Sequence, residues 1–527
     1  MRVMYIATHV TMGGATQSLI DTISELIDVV YIVVVLPQEG KIEDYLRKKG
    51  VKYYIVPFLN GYGPINNSEI ANRVLVDNYE ASCKLANIII AERIDLIHVN
   101  SSASNIGAIS AILAGRPYVW HVREMFEEHF SMTFYDGDFT VFLMGKAYAV
   151  ISISDTVRNY LYDRYGVESV RIYNGIDEKR YYDGQKNNYP PLFIICGNIT
   201  IEKGQFDAIC AVKKIIDSGR KDVQLFLYGD CCEGLLWRIE RYINHFNLEK
   251  NIHIHSMVDD LKIIRRSAGY SITTSKMEGL GRSTIESMMA GNIVIGVDNG
   301  GTSEIIGNDK SRGFLYHSGN ADDLFNVMIS AMDMSESKKK EIVLNAQEYA
   351  KKTFSVKEYA KRILAVYEDA LKSFKGYDDN TRKSIREKYL KSKNSVRSDL
   401  FKQNKGDDIV EKIVLWLLSG DGRRNIIKYL EINKIESVLI YGMGRLGTLF
   451  FDVIEKHGIT VKGIIDRNKK YIDDVFEVFL PDDCWPRADA VIVCVYSEEE
   501  SLKSKINNSQ YSKCIGISDI YSFFQME

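Results

Sequence analysis

The sequence predicts an α/β protein of parallel sheets in three parts, and two observations predict it. Short apolar runs alternate with amphipathic stretches along most of the chain, which is the grammar of βαβ units. The length, 527 residues, is more than one hydrophobic core organises; at roughly 100–200 residues per domain, about three domains are expected. Hydrophobic content of 46% is ordinary for globular domains with cores of their own.

The elements follow in order. In the first part MRVMYIA, VVYIVVVL, VKYYIVP, LIHV, PYVWHV and AVISIS read as strands. In the second part LFIICG, QLFLYG, NIHIH, YSITTS and NIVIGV do so. The segments between them, such as ASNIGAISAILAG, read as helices. The polar stretch NGIDEKRYYDGQKNNY precedes Pro190-Pro191, where the pattern restarts. This sets one domain at 1–185 and a second at 186–371, which ends in the helical SVKEYAKRILAVYEDAL. Residues 372–407 are rich in Lys and Arg and poor in large apolar side chains. They read as a solvated basic linker or an exposed helix, or as a basic face resting on anionic lipid or another domain. The last part, 408–527, opens with a helix; ESVLIYGMGRLGTLFFDVIEKHG then reads as strand, turn and helix, and VKGIIDRN and ADAVIVCVYS as further strands.

Composition excludes some functions. A net charge of −3 gives no basic field for nucleic acid. The eight cysteines include no C-x-x-C pair, which suits a reducing compartment. The N-terminus lacks the charged and long apolar regions of a signal peptide. The longest apolar run, 29–36, is far below the roughly 20 residues that cross a bilayer. A cytoplasmic protein is expected, with peripheral contact to the inner face of the cell membrane open through the basic stretch.

The chemistry concentrates in SKMEGLGRSTIESMMAG, residues 275–291. Ser283 and Glu286 fit a capping box. That accounts for one glutamate but not for Glu278 or the turn Gly279-Leu280-Gly281. A glycine turn lets backbone N–H groups approach a ligand, and the helix start beyond it adds partial positive charge. Together they cradle phosphate. Carboxylates beside such a cradle need hydroxyl partners. A nucleotide sugar supplies hydroxyls on its ribose and on its sugar, with phosphates between.

At this point the residues resemble a family. MEGLGRSTIESMMAG looks like the E-x7-E signature of family 4 glycosyltransferases, and NIVIGVDNGGTSEII resembles the segment that follows it. Gly13 and Gly14 in HVTMGGATQSL are similar to the family's first glycine loop, which lies against the donor phosphates. His121 in WHVRE looks like the histidine near the transferred sugar. ISISDTVRNYL and YNGID resemble the end of the acceptor-side domain. CGNITIEKGQFDAI resembles the donor domain's opening: Lys203 and Gly204 match, while Asn198 stands where the family has an arginine.

The resemblance covers about residues 1–370. It implies the GT-B fold: two Rossmann-like domains facing a cleft, with a third, smaller Rossmann-like domain appended here. It also implies retaining transfer from a UDP- or GDP-sugar to a hydroxyl of a saccharide or lipid-linked saccharide, in polysaccharide or glycolipid synthesis, with no required cofactor. Glu286 would accept from both ribose hydroxyls, Glu278 would meet the transferred sugar and Lys203 would neutralise the diphosphate. Asn198, Gly279, Leu280, Gly281 and Arg282 complete the expected donor contacts. Arg282 or Lys276 would replace the missing arginine, or the domain binds without turnover as a regulator. Arg123 and Glu124 are expected near acceptor or phosphate, and Glu304 at the donor or at a helix cap. The D-x-D of Asp136 and Asp138 is a short pattern common by chance, and no metal is expected.

In the last part YGMGRLG follows a strand and opens a helix, and Asp466 ends the next strand. This is the dinucleotide-binding fingerprint in its required context. Gly442, Gly444 and Gly447 would approach a pyrophosphate and Asp466 would hold a ribose. Three roles remain open for this domain: a bound nucleotide as regulator, a docking module, or an NAD-linked oxidoreductase.

Overall fold

A computed structural model describes the chain except for residues 12, 64–67, 131, 183, 185, 187, 259–260, 401–412, 414–415, 418–419, 443–444, 456, 467–477, 482–484, 496–498, 508–512 and 525–527. It contains three parallel sheets. The first runs Lys52–Ile55, Tyr31–Leu36, Arg2–Ile6, Leu96–Val99, Tyr118–Val122, Ala149–Ser152 and Val170–Arg171 from edge to edge. The second runs Ile252–His255, Gln224–Tyr228, Leu192–Cys196, Tyr270–Thr273, Ile293–Val297 and Phe314–Tyr316. The third runs Val478–Phe479, Thr460–Ile465, Ser437–Tyr441, Ala490–Val493 and Cys514–Gly516.

Each apolar run read as a strand is one, because a strand covered by helices on both faces must be apolar on both. The strands at Val170–Arg171, Phe314–Tyr316, Val478–Phe479 and Cys514–Gly516 were not anticipated. They have two or three residues each and lie at sheet edges, where the apolar signal is weakest.

One topological feature recurs. The first strand of each sheet lies inside it, with its next two strands on one side and the later ones on the other. The order therefore reverses beside Ile6, Cys196 and Tyr441. Open α/β sheets bind ligands outside the carboxyl ends of strands at such a reversal. The glycines Gly13-Gly14, Gly197 and Gly442 all follow these three strands.

The first two sheets belong to one compact unit, residues 1–231 and 249–401; residues 232–248 and 402–527 form another. Helix Val356–Ser373 lies in the range assigned to the second domain. Its buried face, Tyr359, Ala360, Ile363, Tyr367 and Ala370, nevertheless packs in the core of the first sheet with Val3, Tyr5, Leu19 and Val34. Within the stretch read as a linker, residues 379–400 form a helix. It lies along helix Ser68–Ala91: Tyr389 stacks on Tyr79 with ring centroids 4.1 Å apart, and Lys393 pairs with Glu80. Its charges face solvent while Ile385 is buried, so composition alone looked linker-like. Residues 401–407 lie outside the described residues.

In the second unit, helix Glu233–His245 packs on the third sheet's layer through Trp237, whose ring is 4.8 Å from that of Phe451. No helix among the described residues is long and apolar enough to cross a membrane.

Candidate functional site

The strand Tyr270–Thr273 delivers the chain into the turn at 278–281, and the helix Arg282–Met289 leaves it. Gly281 caps this helix at φ +81°, a conformation glycine adopts without strain. Gly279 is needed for a different reason. A side chain there would stand 2.8 Å from the Arg123 carbonyl of the first lobe, and Ser154 of that lobe donates to the Gly279 carbonyl. Leu280 is buried at 3% exposure and anchors the turn.

The capping box does not form. The cap is Gly281, without a side-chain bond, and the Glu286 carboxylate turns to two arginines instead. Arg265 Nη2 donates to Oε2 at 2.8 Å, and Arg282 Nε donates to Oε1 at 2.9 Å. The guanidinium attraction outweighs a backbone cap, because charge-assisted bonds are about twice as strong as neutral ones. Glu278 is half-buried and pairs with Lys203, Nζ to Oε1, at 2.6 Å. The two carboxylates of the motif are thus each matched to cations, in two separate clusters.

Arg282 reaches further. Its Nη2 pairs with Asp21 at 2.6 Å and its Nη1 donates to Ser18 at 3.1 Å. Burial alone would lower this guanidinium's pKa, but Asp21 and Glu286 hold it above the ordinary value. Arg282 is therefore committed to bridging the lobes, and it does not stand as an open replacement for the arginine absent at Asn198. Arg180 adds a longer contact to Asp21, 3.7 Å. Beside the cluster, burial and then Glu286 push the Tyr181 hydroxyl up to about 12.

Ser18 and Asp21 lie about one and two turns into helix Gly14–Leu26. Gly13 caps that helix without a side-chain bond, no acidic residue occupies its first turn, and a Cβ at Gly13 or Gly14 would meet nothing within 4 Å. Gly204 caps helix Gln205–Asp217, again with no side-chain acceptor. Three helix starts, at 14, 205 and 282, thus leave their first amides without a side-chain cap, the arrangement that receives anions. Asn198 is exposed on the loop between Cys196 and Lys203, and its carbonyl accepts from Gln205 at 2.8 Å.

The first lobe's residues are more enclosed than the sequence suggested. His121 is the next-to-last residue of the strand Tyr118–Val122 and is fully buried. Its Nδ1 lies 3.3 Å from His98 Nε2 and 3.3 Å from Arg123 Nη2, while its Nε2 has no partner among the described residues. Arginine can only donate, so Nδ1 accepts and the proton sits on Nε2. Burial, reinforced by Arg123, holds both His98 and His121 well below the usual imidazole value. Arg123 spends its other donors on Asn100 and Asn174. Glu124 accepts from Ser101 and from the amide and hydroxyl of Ser102. Both are structural here. Glu304 resolves as a cap, but of a helix in the other lobe: it accepts from the amides of Asp155 and Thr156, each at 2.9 Å, and from Tyr173. Asp136 caps the helix Gly137–Met144 and pairs with Lys388 at 2.6 Å.

Sequence reasoning missed Arg265, Asp21 and Arg180. Arg265 sits in the short helix Lys262–Ser267, 21 positions before Glu286, and no local motif marks it. Beside Met277 a cavity of about 430 Å³ opens, lined among others by Glu128, Thr156, Asn159, Asp163 and Asn299. Its size lies within the range of small-molecule sites.

In the third sheet Gly442 has φ +88° and directly follows the first strand. A Cβ on Gly447 would fall 2.0 Å from the Gly442 carbonyl, so turn and helix are pressed together as the fingerprint requires. Asp466 follows the strand Thr460–Ile465 and is partly exposed. Gly444 lies outside the described residues.

Residues 12–180 match the family model for Glycosyltransferase Family 4, and residues 179–353 match that for Glycosyl transferases group 1. No curated protein matches the chain in sequence. Among solved structures, HepE of Anabaena in complex with UDP and glucose is similar with a TM-score of 0.59 at 22% identity, over 70% of this chain and 100% of that one. A glycosyltransferase from Rickettsia africae gives 0.57 at 19% identity, over 71% and 99%. Sucrose-phosphate synthase from Thermosynechococcus elongatus gives 0.56 at 15% identity, over 71% and 100%. The shared architecture is the GT-B fold.

Proposed function

Residues 12–353 make this chain a glycosyltransferase of the group 1 and family 4 kind, and we propose that it transfers a sugar, with retention, from a UDP-sugar to a saccharide hydroxyl. The observation that carries this reading is the pair of carboxylates on one glycine turn and helix start, each matched to a cation. Glu286 holds the ribose and Glu278 the transferred sugar. Lys203 exchanges Glu278 for the diphosphate when the donor enters. The uridine base is favoured by structures of similar fold bound to UDP and UDP-glucose.

In the reaction the bond from the anomeric carbon to the phosphate oxygen breaks. A bond to the acceptor oxygen forms on the same face, and the acceptor proton passes to the departing phosphate. Lys203 and the uncapped helix amides stabilise the charge that develops there, the electrostatic contribution that usually dominates. His121, fixed as an Nε2–H donor, is assigned to a sugar oxygen. The cavity beside Met277 receives the acceptor, a saccharide or its lipid-linked form in polysaccharide or glycolipid synthesis.

The third sheet is a nucleotide site, a reading favoured by the Gly442–Gly447 packing and by Asp466 one strand away. The test of the main reading is release of UDP from a panel of UDP-sugars with saccharide acceptors, with and without Glu286→Ala. Release that depends on Glu286 is expected. No release with any donor, or release indifferent to Glu286, rejects it.

A further inference from the structure

Arg265 is an unusual residue to find where it is. It is 1% exposed, on a helix turned toward the core of the donor lobe. Taking a guanidinium out of water costs several kcal/mol unless its partners are well placed. Among the described residues its guanidinium partners are all on the one helix that begins at the glycine turn. Nη2 holds Glu286 Oε2 at 2.8 Å and Ser283 Oγ at 3.2 Å. Nη1 donates to the Ser283 carbonyl at 3.2 Å and to Ser287 Oγ. Nε has no partner among the described residues. Among the described residues Glu286 is the only carboxylate that Arg265 pairs with.

Glu286 is held from both ends as a result. A carboxylate has about four lone-pair positions. Arg265 takes one on Oε2 and Arg282 takes one on Oε1. One position per oxygen remains, and 11% of the side chain stays accessible. Two guanidiniums gripping opposite oxygens fix the carboxylate plane. The geometry left over is two acceptors side by side, which matches two adjacent hydroxyls.

Arg282 cannot supply this alone, because it is shared with Asp21 and Ser18 of the first lobe. Its hold on Glu286 therefore depends on how the lobes meet. Arg265 belongs to the same lobe as Glu286 and holds it whatever the first lobe does. We propose that Arg265 is a positioning residue for the donor: it orients the Glu286 carboxylate to accept the vicinal hydroxyls of the nucleotide ribose. This rests on the assignment of Glu286 to the ribose. It also gives the lobe a buried cation serving the nucleoside end, in a chain that carries Asn198 at the diphosphate end.

The experiment is a titration of the full chain with UDP and with 2′-deoxy-UDP, repeated with GDP and 2′-deoxy-GDP. The wild type is expected to favour the ribonucleotide of one base by about tenfold or more, the value of a hydrogen bond to a charged group. Arg265→Met is expected to weaken the ribonucleotide about tenfold and leave its deoxy analogue within about threefold, so that the preference collapses. Arg265→Lys keeps the charge but loses the fork, and is expected to fall between; it carries the same comparison if the Met variant fails to fold. Equal weakening of both nucleotides would reduce Arg265 to a structural residue and overturn the proposal. Glu286→Gln separates the two levels. If it leaves the ribose preference intact, or if no ribonucleotide binds the wild type, the assignment of Glu286 fails and this inference falls with it. If it abolishes the preference while Arg265→Met does not, the inference alone fails.

Discussion

The second and third sheets share a strand order, a reversal beside their first strand and a glycine just past it. What surrounds those glycines differs. Around the second sheet stand Lys203 with Glu278, Arg265 with Glu286, and Arg282 bridging to Asp21. Past the third sheet's first strand, the described candidates for ligand contact are the glycine turn and Asp466. One topology thus carries a cluster of paired charges suited to the proposed anionic, hydroxyl-rich donor, and elsewhere a plain glycine turn. Topology says where a ligand goes; the side chains at that point say what happens to it.

The sharpest way to break this contrast is to remove the charge at the second sheet. Lys203→Ala is expected to lower kcat/KM for transfer by about 10²–10³, comparable to losing one preorganised donor at a developing negative charge. Lys203→Arg should recover part of that loss. Initial rates of nucleotide release, with acceptor present, provide the measurement. A loss below about tenfold would mean that the glycine-capped helix starts carry the diphosphate without Lys203, and that the two switch points work alike.

How legible this was in the sequence follows from the range over which each interaction acts. The longer inner strands of all three sheets could be read because burial on both faces writes itself into local composition, while four edge strands of two or three residues could not. Glu278, Glu286 and the glycine turn could be read because the motif lies within one strand-turn-helix passage. Arg265 and Asp21 could not, since each meets Glu286 or Arg282 across 21 or more positions through the tertiary fold. Glu304 was left between a donor contact and a cap, because the helix it caps lies in the other lobe, 148 positions away at Thr156. The Ser283–Glu286 capping box fits the sequence pattern, but two buried arginines compete for the same carboxylate and win.

The first sheet offers a middle case, in which the switch-point side chains are buried and neutral. His98 and His121 both titrate well below the ordinary value of 6.5, chiefly through burial and then through Arg123. In the unfolded chain they bind protons as the pH falls through about 6.5, while the folded chain does not. Their contribution to stability is therefore complete above that value and is lost progressively as the pH drops below it. With two protons involved, the steepest loss is about 2.7 kcal/mol per pH unit. Thermal unfolding followed from pH 7.5 to 5 should show this slope, and His121→Gln should remove about half of it. A flat profile would place His121 in an open, charged environment like that of the second sheet.

The smallest effect is expected where the site is plainest. Asp466→Asn keeps the size of the side chain at the end of Thr460–Ile465 and removes its charge. If the third sheet holds a dinucleotide, the loss of one carboxylate partner to a ribose should weaken binding of NADH about tenfold, read by its fluorescence. Transfer at the second sheet should be unchanged in the same variant when no dinucleotide is added, because neither Lys203, Glu278 nor Glu286 is altered. Unchanged NADH affinity would remove Asp466 from the site and leave the glycine turn as a packing device, since the pressure between Gly442 and Gly447 would explain those glycines without any ligand. A matching fall in transfer would point the other way, to a third sheet whose carboxylate matters to the reaction that the second performs.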